Sequence, residues 1–516
     1  MKNLFFTIAF SALLASPAMA EELTVTHSAA GEFETELNAA LADAQLSADQ
    51  VTSLKVVSAT AADTETPAEM NLTDFNALRK ALSATLQNLD LSEATLKENG
   101  VPSGNTYGDN AGALRDMAEL TNVTLPEGLV KIGGGAFARC KKLETINLPE
   151  TITTMWYCAF KGCTNLKISK IPSGVKTIQN EVFRDCPNVT FSELPAGLVE
   201  VKDYGFYGCK AITVSEMPTG LKAIGRSAFA SSGAAFSEWS EAIESVGISA
   251  FNGSKVTFTE WFDPEATTLP EGIFGYAYSL TDFTIPATVT ELPKQAFFVA
   301  TDFNLTPEGE NYKRTLTCRN IVPPTAVASE NDSEKNSSAT FYQENQYNNH
   351  ITFRVFKEAL ETYQGTKPYS TMNVEALTTQ MPVAVEGGEA TVSTELGEAA
   401  EGMLPVYEGN TTITITPADD MTIESVTYGE TPVEVEDGVM TIDVPQTPET
   451  LTVTLKKSGE EAGVEGIASD DEIVATTYYN LQGVEISEPA ENGLYIRKQT
   501  TANGCTIVEK VMLKAL

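Results

Sequence analysis

The sequence predicts a mainly β solenoid of the α/β class, built from 23-residue coils and followed by all-β, sandwich-type C-terminal domains. The first observation is a ladder of phenylalanines at Phe137, Phe160, Phe183, Phe206, Phe229, Phe251, Phe274 and Phe297, spaced by 23 residues six times and by 22 once. A fixed period in this range means stacked coils, because one coil cannot bury its apolar face without a neighbour. The second is a turn in step with the ladder. Pro126, Pro149, Pro172, Pro195, Pro218 and Pro286 each follow an apolar residue, and four continue as P-x-G-[L/V]. Proline presets φ and glycine supplies φ > 0, so the chain reverses once per coil. The third is a change to period two beyond about residue 377, as in residues 411–416 (TTITIT) and 451–455 (LTVTL), the pattern of half-buried strands.

Composition bounds the function. At 516 residues several units are expected, and 42% hydrophobic with 20% charged residues describes a folded chain. Seventy acidic against 34 basic residues give a net charge of −36, and no Lys/Arg cluster interrupts that excess. Nucleic acid and anionic membrane surfaces are therefore poor partners. Residues 1–20 read as a signal peptide: Lys2, an apolar run over 4–14, and Ala18-Met19-Ala20 before Glu21. No later run reaches about 18 apolar residues, so no transmembrane segment is expected after cleavage. The mature chain is expected to be exported, to the outer cell surface or extracellular space, with the periplasm as the alternative.

Residues 21–119 read as an N-terminal cap with irregular early coils. Residues 33–41 and 74–82 have helical spacing, while 51–57 and 86–91 read as short strands. A cap is needed because an open stack end exposes core and a strand edge. Residues 120–303 hold eight coils, each expected to run strand, Pro-Gly turn, second short strand, then a tight A-F-x-x-C turn. Three residues after each Phe come Cys140, Cys163, Cys186 and Cys209, then Ser232, Ser254, Ala277 and Ala300. The shared property is small size, so the thiols are expected to be buried and unbridged rather than redox-active or metal-binding. Coils five to seven break the pattern: Ser240 replaces Pro, and Trp239 and Trp261 replace an aliphatic residue, with Trp261 expected in the core. Over residues 304–375 the period stops and 356–362 has helical spacing; the segment resembles the C-terminal cap of a repeat family, which implies a final strand and a helix that close the stack. A small β-sandwich over 376–457, a linker over 458–472 and a β module over 473–516 follow.

The coil pattern L-x-x-[I/V]-x-L-P-x-[G/T]-[L/I/V]-x-x-I-x-x-x-A-F-x-x-C, seen as LTNVTLPEGLVKIGGGAFARC over 120–140, resembles the BspA-like leucine-rich repeat family. The L-x-x-L-x-L at 86–91 carries the strand signature of such repeats. The resemblance implies a surface protein that adheres to host proteins or other cells. The final segment, with Y-N-L-Q-G at 479–483, G-L-Y-I at 493–496 and a last strand ending at Lys514, is similar to the sorting module of the type IX secretion system of Bacteroidetes. It departs by an insertion over 498–505 and by two residues after Lys514.

The catalytic inventory is empty. The two histidines, His27 and His350, lie in different modules, and no zinc-protease, nucleophile-elbow, P-loop or EF-hand motif occurs. No enzyme activity and no cofactor are expected. Two surface features could bind a partner. Trp156 and Tyr157 occupy positions that are turn or surface types in other coils, with Tyr204 and Tyr207 expected near them two coils on. Such aromatics suit an extracellular protein or, by stacking, a glycan; the alternative is that they lie against the N-terminal cap or shield the turn. The second feature is a column of Glu193, Glu216, Glu238 and Glu260, each after Ser or Thr, where a hard cation could relieve repulsion or water and salt could screen it. Cys158 is expected in an exposed column. The molecule is expected to be a monomer.

Overall fold

The computed structural model describes residues 21–516 except 61–64, 104–111, 299–312, 327–339, 342–350, 459–472, 481–484, 487–492, 502–505 and 514–516. The expected leader, the polar loop at 329–338, nearly all of the linker, Ala300, His350, Lys514 and Cys505 lie outside the described residues. The chain divides into two compact units, 1–377 and 378–516.

The first unit is a stack of parallel strands. Glu21–His27 lies parallel to Val51–Ser58, followed by Asn88–Glu93, Asn122–Thr124 and Thr145–Ile146. The first of these strands is absent from the sequence reading; its alternating Leu23, Val25 and His27 all point into the core. Helices α1 (Phe33–Ala44) and α2 (Leu72–Leu82) form where the apolar spacing places them. They bury Phe33, Leu37 and Leu41, and Phe75, Leu78 and Leu82. Asn71 caps α2 by accepting from the Thr73 and Asp74 amides.

Within the repeats the second strand of each coil is the regular one. Thr177–Ile178, Glu200–Val201, Ala223–Ile224 and Ser245–Val246 pair in parallel, each residue facing its counterpart one coil on. The expected first strand is only partly formed. Between residues 147 and 281 it is reduced to single inter-coil bonds, such as Thr190 N–H to Ile168 O at 3.0 Å and Thr213 N–H to Phe191 O at 2.8 Å.

The A-F-x-x-C turn has a rule of its own. Residues two before and two after the ladder position take left-handed φ, as at Glu181 and Asp185 (60° and 58°) around Phe183. The ladder amides, Phe251 apart, donate to the carbonyl just before the next ladder residue: Phe137 to Ala159 at 2.9 Å, Phe160 to Val182 at 2.9 Å. The rings are thereby held in a stack, with centroids 5.5 Å apart for Phe137–Phe160 and 5.6 Å for Phe160–Phe183, planes within 3°.

The same geometry is found on both sides of the eight coils. Leu114 occupies the ladder position one coil before Phe137, with left-handed Gly112 and Asp116 around it and its amide on Ala136 O at 2.8 Å. At the other end Phe341 stacks on Phe297, so the segment first read as a closing cap continues the ladder. Arg314–Cys318, Ile351–Val355 and Asn373–Ala376 add parallel to Asp282–Ile285, and α3 (Leu360–Gly365) covers them near the expected helix. Trp261 is buried as expected.

The second unit contains two packed sheets. One orders Met403–Tyr407, Thr378–Glu386, Leu451–Lys457, Met421–Tyr428 and Thr431–Pro432; the other orders Gly397–Glu398, Ala390–Thr394, Gly409–Pro417 and Val439–Val444. Met381 and Val453 from the first meet Val392, Ile413 and Ile442 from the second in one core. Beyond it Ile473–Tyr479, Glu485–Ile486, Gly493–Thr501 and Thr506–Leu513 form an antiparallel sheet. The insertion expected at 498–505 is partly strand: residues 498–501 extend the G-L-Y-I strand, and 498–500 pair with 506–508.

Candidate binding surface

The interior column offers no chemistry. Cys140, Cys163, Cys186 and Cys209 are buried and form no disulfide. Each thiol donates to the ladder carbonyl of the preceding coil: Cys163 to Phe137 O at 3.1 Å, Cys186 to Phe160 O at 3.0 Å. Burial pushes the Cys140 and Cys186 thiols up to about 12 and the other two well above their ordinary value, so reactive thiolate is scarce. Ser232 and Ser254 have a shorter reach and bond within their own coil, to Phe229 O at 2.6 Å and Phe251 O at 2.7 Å. Cys158 is also buried, which corrects its expected place in an exposed column.

The four aromatic candidates separate into two groups. Tyr204 and Tyr207 meet edge to face at 5.8 Å, and the Arg184 guanidinium lies 4.9 Å and 5.3 Å from their ring centroids. Arg184 also donates to Glu181 at 3.0 Å and lies 3.5 Å from Asp185. Burial works against its charge, but Glu181 and Asp185 outweigh that and hold the guanidinium more basic than usual. Tyr204 has φ 58°, a conformation costly for a bulky residue; Gly135 and Gly272 occupy the same column. Both tyrosines stay partly exposed. Sequence comparison between coils singled out the tyrosines but missed Arg184, whose place beside them follows only from the stacking of coils.

Trp156, at 44% exposure, instead faces the N-terminal region. It lines a cleft of ≈ 540 Å³ with Asn71 and Thr73 at the start of α2, and with Glu98 and Lys131, which form an ion pair. Tyr157 lies over Gly134, where an added Cβ would come within 2.7 Å of its ring. A residue without a side chain in one coil therefore seats the ring of the next.

Glu193, Glu216, Glu238 and Glu260 are all exposed, and among the described residues no three His, Cys, Asp or Glu side chains converge as a metal site would require. His27 is fully buried, with Nδ1 2.8 Å from Glu36 and Nε2 3.9 Å from buried Asp74. Asp74 in turn accepts from the Gly31 and Phe33 amides, so the group ties the first strand to α1 and α2. Ser28 Oγ donates to Glu36 at 2.7 Å. The arrangement is a buried clasp, and nothing in the sequence spacing announces it.

With this geometry in hand, comparison with known proteins gives one family match. Residues 110–233 and 176–304 match the model of the BspA type leucine rich repeat region, in six copies. The repeat region is similar to that family. The match begins in the coil of Leu114, the coil that the phenylalanine count leaves out. Among solved structures, a leucine rich repeat protein of T. pallidum aligns at 24% identity over 36% of this chain and 72% of its own, TM-score 0.26. A leucine rich cell surface protein of Faecalibacterium prausnitzii aligns at 18% over 35% and 73%, TM-score 0.22. The pneumococcal vaccine antigen PcpA aligns at 15% over 64% and 77%, TM-score 0.32. No curated protein matches. Among the described residues no helix is long and apolar enough to cross a membrane.

Proposed function

We propose that the chain is a non-enzymatic, exported binding protein: a cell-surface adhesin that presents its coils as a rigid surface to host or microbial macromolecules. The observation that carries this reading is the Arg184–Tyr204–Tyr207 group. A tyrosine kept in a left-handed position, against an arginine braced by two carboxylates, is a pre-ordered patch of the residue types that dominate protein interfaces. Parallel coils fix such side chains in rows, so little ordering entropy remains to be lost on binding. The signal-like residues 1–20 and the terminal module supply the route, with 473–516 acting as the sorting domain.

The test is binding of the mature chain to extracellular-matrix proteins, by surface plasmon resonance, with and without Arg184→Ala and Tyr207→Ala. Unchanged binding in both variants removes this patch from the function. Trp156 supports a second reading, a glycan-binding component of a carbohydrate-uptake system, since an indole beside a cleft can stack on a sugar ring. A glycan array supports it only if a signal appears and Trp156→Ala abolishes it. Protease shaving of intact cells tests display; full protection would place the protein in the periplasm.

A further inference from the structure

The coils break their own rule at one place, and that place is a cleft. Ser240 stands where other coils carry the turn proline, and its hydroxyl points inward to Thr219 O at 3.0 Å. In the next coil an extra residue appears: Glu260 bridges to Thr284, which sets Trp261 level with Ile285 and leaves Phe262 over. The missing proline ring and the additional residue together open ≈ 430 Å³ walled by Trp239, Trp261 and Phe262.

The wall is mainly aromatic: Trp239 and Phe262 are partly exposed and Trp261 is buried, with the Ser237 and Thr259 side chains also on the lining. Trp239 stacks on Phe258 with centroids 3.8 Å apart and planes within 6°, and meets Trp261 edge-on at 5.1 Å. Its indole N–H is already committed to Glu260 O at 2.8 Å. Around the mouth stand three exposed carboxylates, Glu238, Glu241 and Glu260, and no Lys or Arg lines the cleft. None of the three makes an ion pair among the described residues. Nearby Lys222 is already paired, to Glu244 at 2.7 Å.

An electron-rich aromatic wall with uncompensated carboxylates attracts an ammonium or guanidinium, through the ring quadrupole and through plain charge. A neutral sugar would use the ring faces and gain nothing from the net charge. We propose that this cleft receives a lysine or arginine side chain from a basic segment of a partner protein. It lies apart from the Tyr204–Tyr207 patch, so the two assignments stand or fall separately.

The test uses the full mature chain in a Trp156→Phe background, so that Trp239 and Trp261 report, titrated with a short oligolysine peptide. Saturable quenching is expected, weakened on the order of tenfold by the combined Glu238→Gln, Glu241→Gln and Glu260→Gln substitutions. The same charge removed at exposed Glu127, Glu193 and Glu216 is expected to change affinity by no more than about twofold. Circular dichroism checks that both triple variants fold. Equal weakening in the two triple variants would assign the binding to the overall charge of −36 and overturn the proposal. So would the absence of saturable quenching, or quenching by a neutral oligosaccharide in place of the peptide.

Discussion

Phe341 stacks on Phe297 with ring centroids 6.2 Å apart and planes within 8°, although the chain between them is nearly twice the length of an ordinary coil. The ladder continues through a change of coil length, and the bond from the ladder amide to the next coil continues with it. The Phe297 amide meets Thr340 O just as Phe274 meets Ala296 O.

Truncating a ladder ring should therefore be costly wherever it is made. Phe183→Ala is expected to lose about 3–5 kcal/mol, the usual penalty for emptying a buried aromatic site. Urea denaturation measures it. Phe341→Ala should show the same class of loss together with earlier proteolysis of the segment after residue 313.

Arg314 closes this end of the ladder from inside. Its buried guanidinium donates to Ala277 O at 2.8 Å, Leu280 O at 3.0 Å and Phe297 O at 3.1 Å. Arg314→Met keeps most of the volume and removes these three bonds; Ala277 O keeps the Leu280 amide at 3.2 Å, and each buried acceptor left unsatisfied costs roughly 1–3 kcal/mol. The thermal midpoint should fall by several degrees. A midpoint equal to wild type would show that the carbonyls find other partners.

The thiol column should be silent to alkylation. With the Cys140 and Cys186 thiols held up at about 12, iodoacetamide at pH 8 should label these two only after denaturation. Cys186→Ala should cost only about 1 kcal/mol, because it forfeits one weak hydrogen bond in a column that already accepts alanine at Ala277.

Acid should loosen the first coil. Arg139 grips Asp116 through two bonds of 2.7 and 2.8 Å, and that hydrogen bonding holds the Asp116 carboxyl below its ordinary range. A depressed folded value stabilises above the unfolded value near 4, and the contribution is lost as pH falls through the folded value. Thermal scans from pH 6 to 3 should show a decline that is shallower in Asp116→Asn. An identical slope would mean that the pair contributes nothing to the linkage.

Tyr204→Gly separates strain from binding. Glycine accepts φ 58° without penalty, which offsets the lost contact with Arg184, so stability should stay within about 1 kcal/mol of wild type. Binding of the matrix partner should fall. A large loss of stability would make Tyr204 a structural residue.

Much of the fold was legible because the repeat is physical. Each coil must offer the same apolar columns to its neighbours, so Phe, Cys and Pro recur in the sequence at the spacing of the coils. Leu114 escaped because the column asks for a large apolar side chain, and leucine does not mark a phenylalanine count. Phe341 escaped because the interval from Phe297, nearly twice an ordinary coil, falls outside a count made at a fixed period. Cys158 was misplaced since the burial of a small side chain is decided by what its neighbours cover, which the column's composition does not state.

The candidate sites divide in the same way. The sequence by itself determined the coil, the inert small-residue column and the coils that depart from the pattern, because those are properties of one chain position compared with its own repeats. The tertiary structure alone decided which departures meet. It brought Arg184 between Tyr204 and Tyr207, turned Trp156 toward α2, enclosed His27 between Glu36 and Asp74, and gathered Trp239, Trp261 and Phe262 around an acidic mouth. These contacts depend on coil-to-coil register and on side-chain direction, and neither is written in the spacing of any single motif.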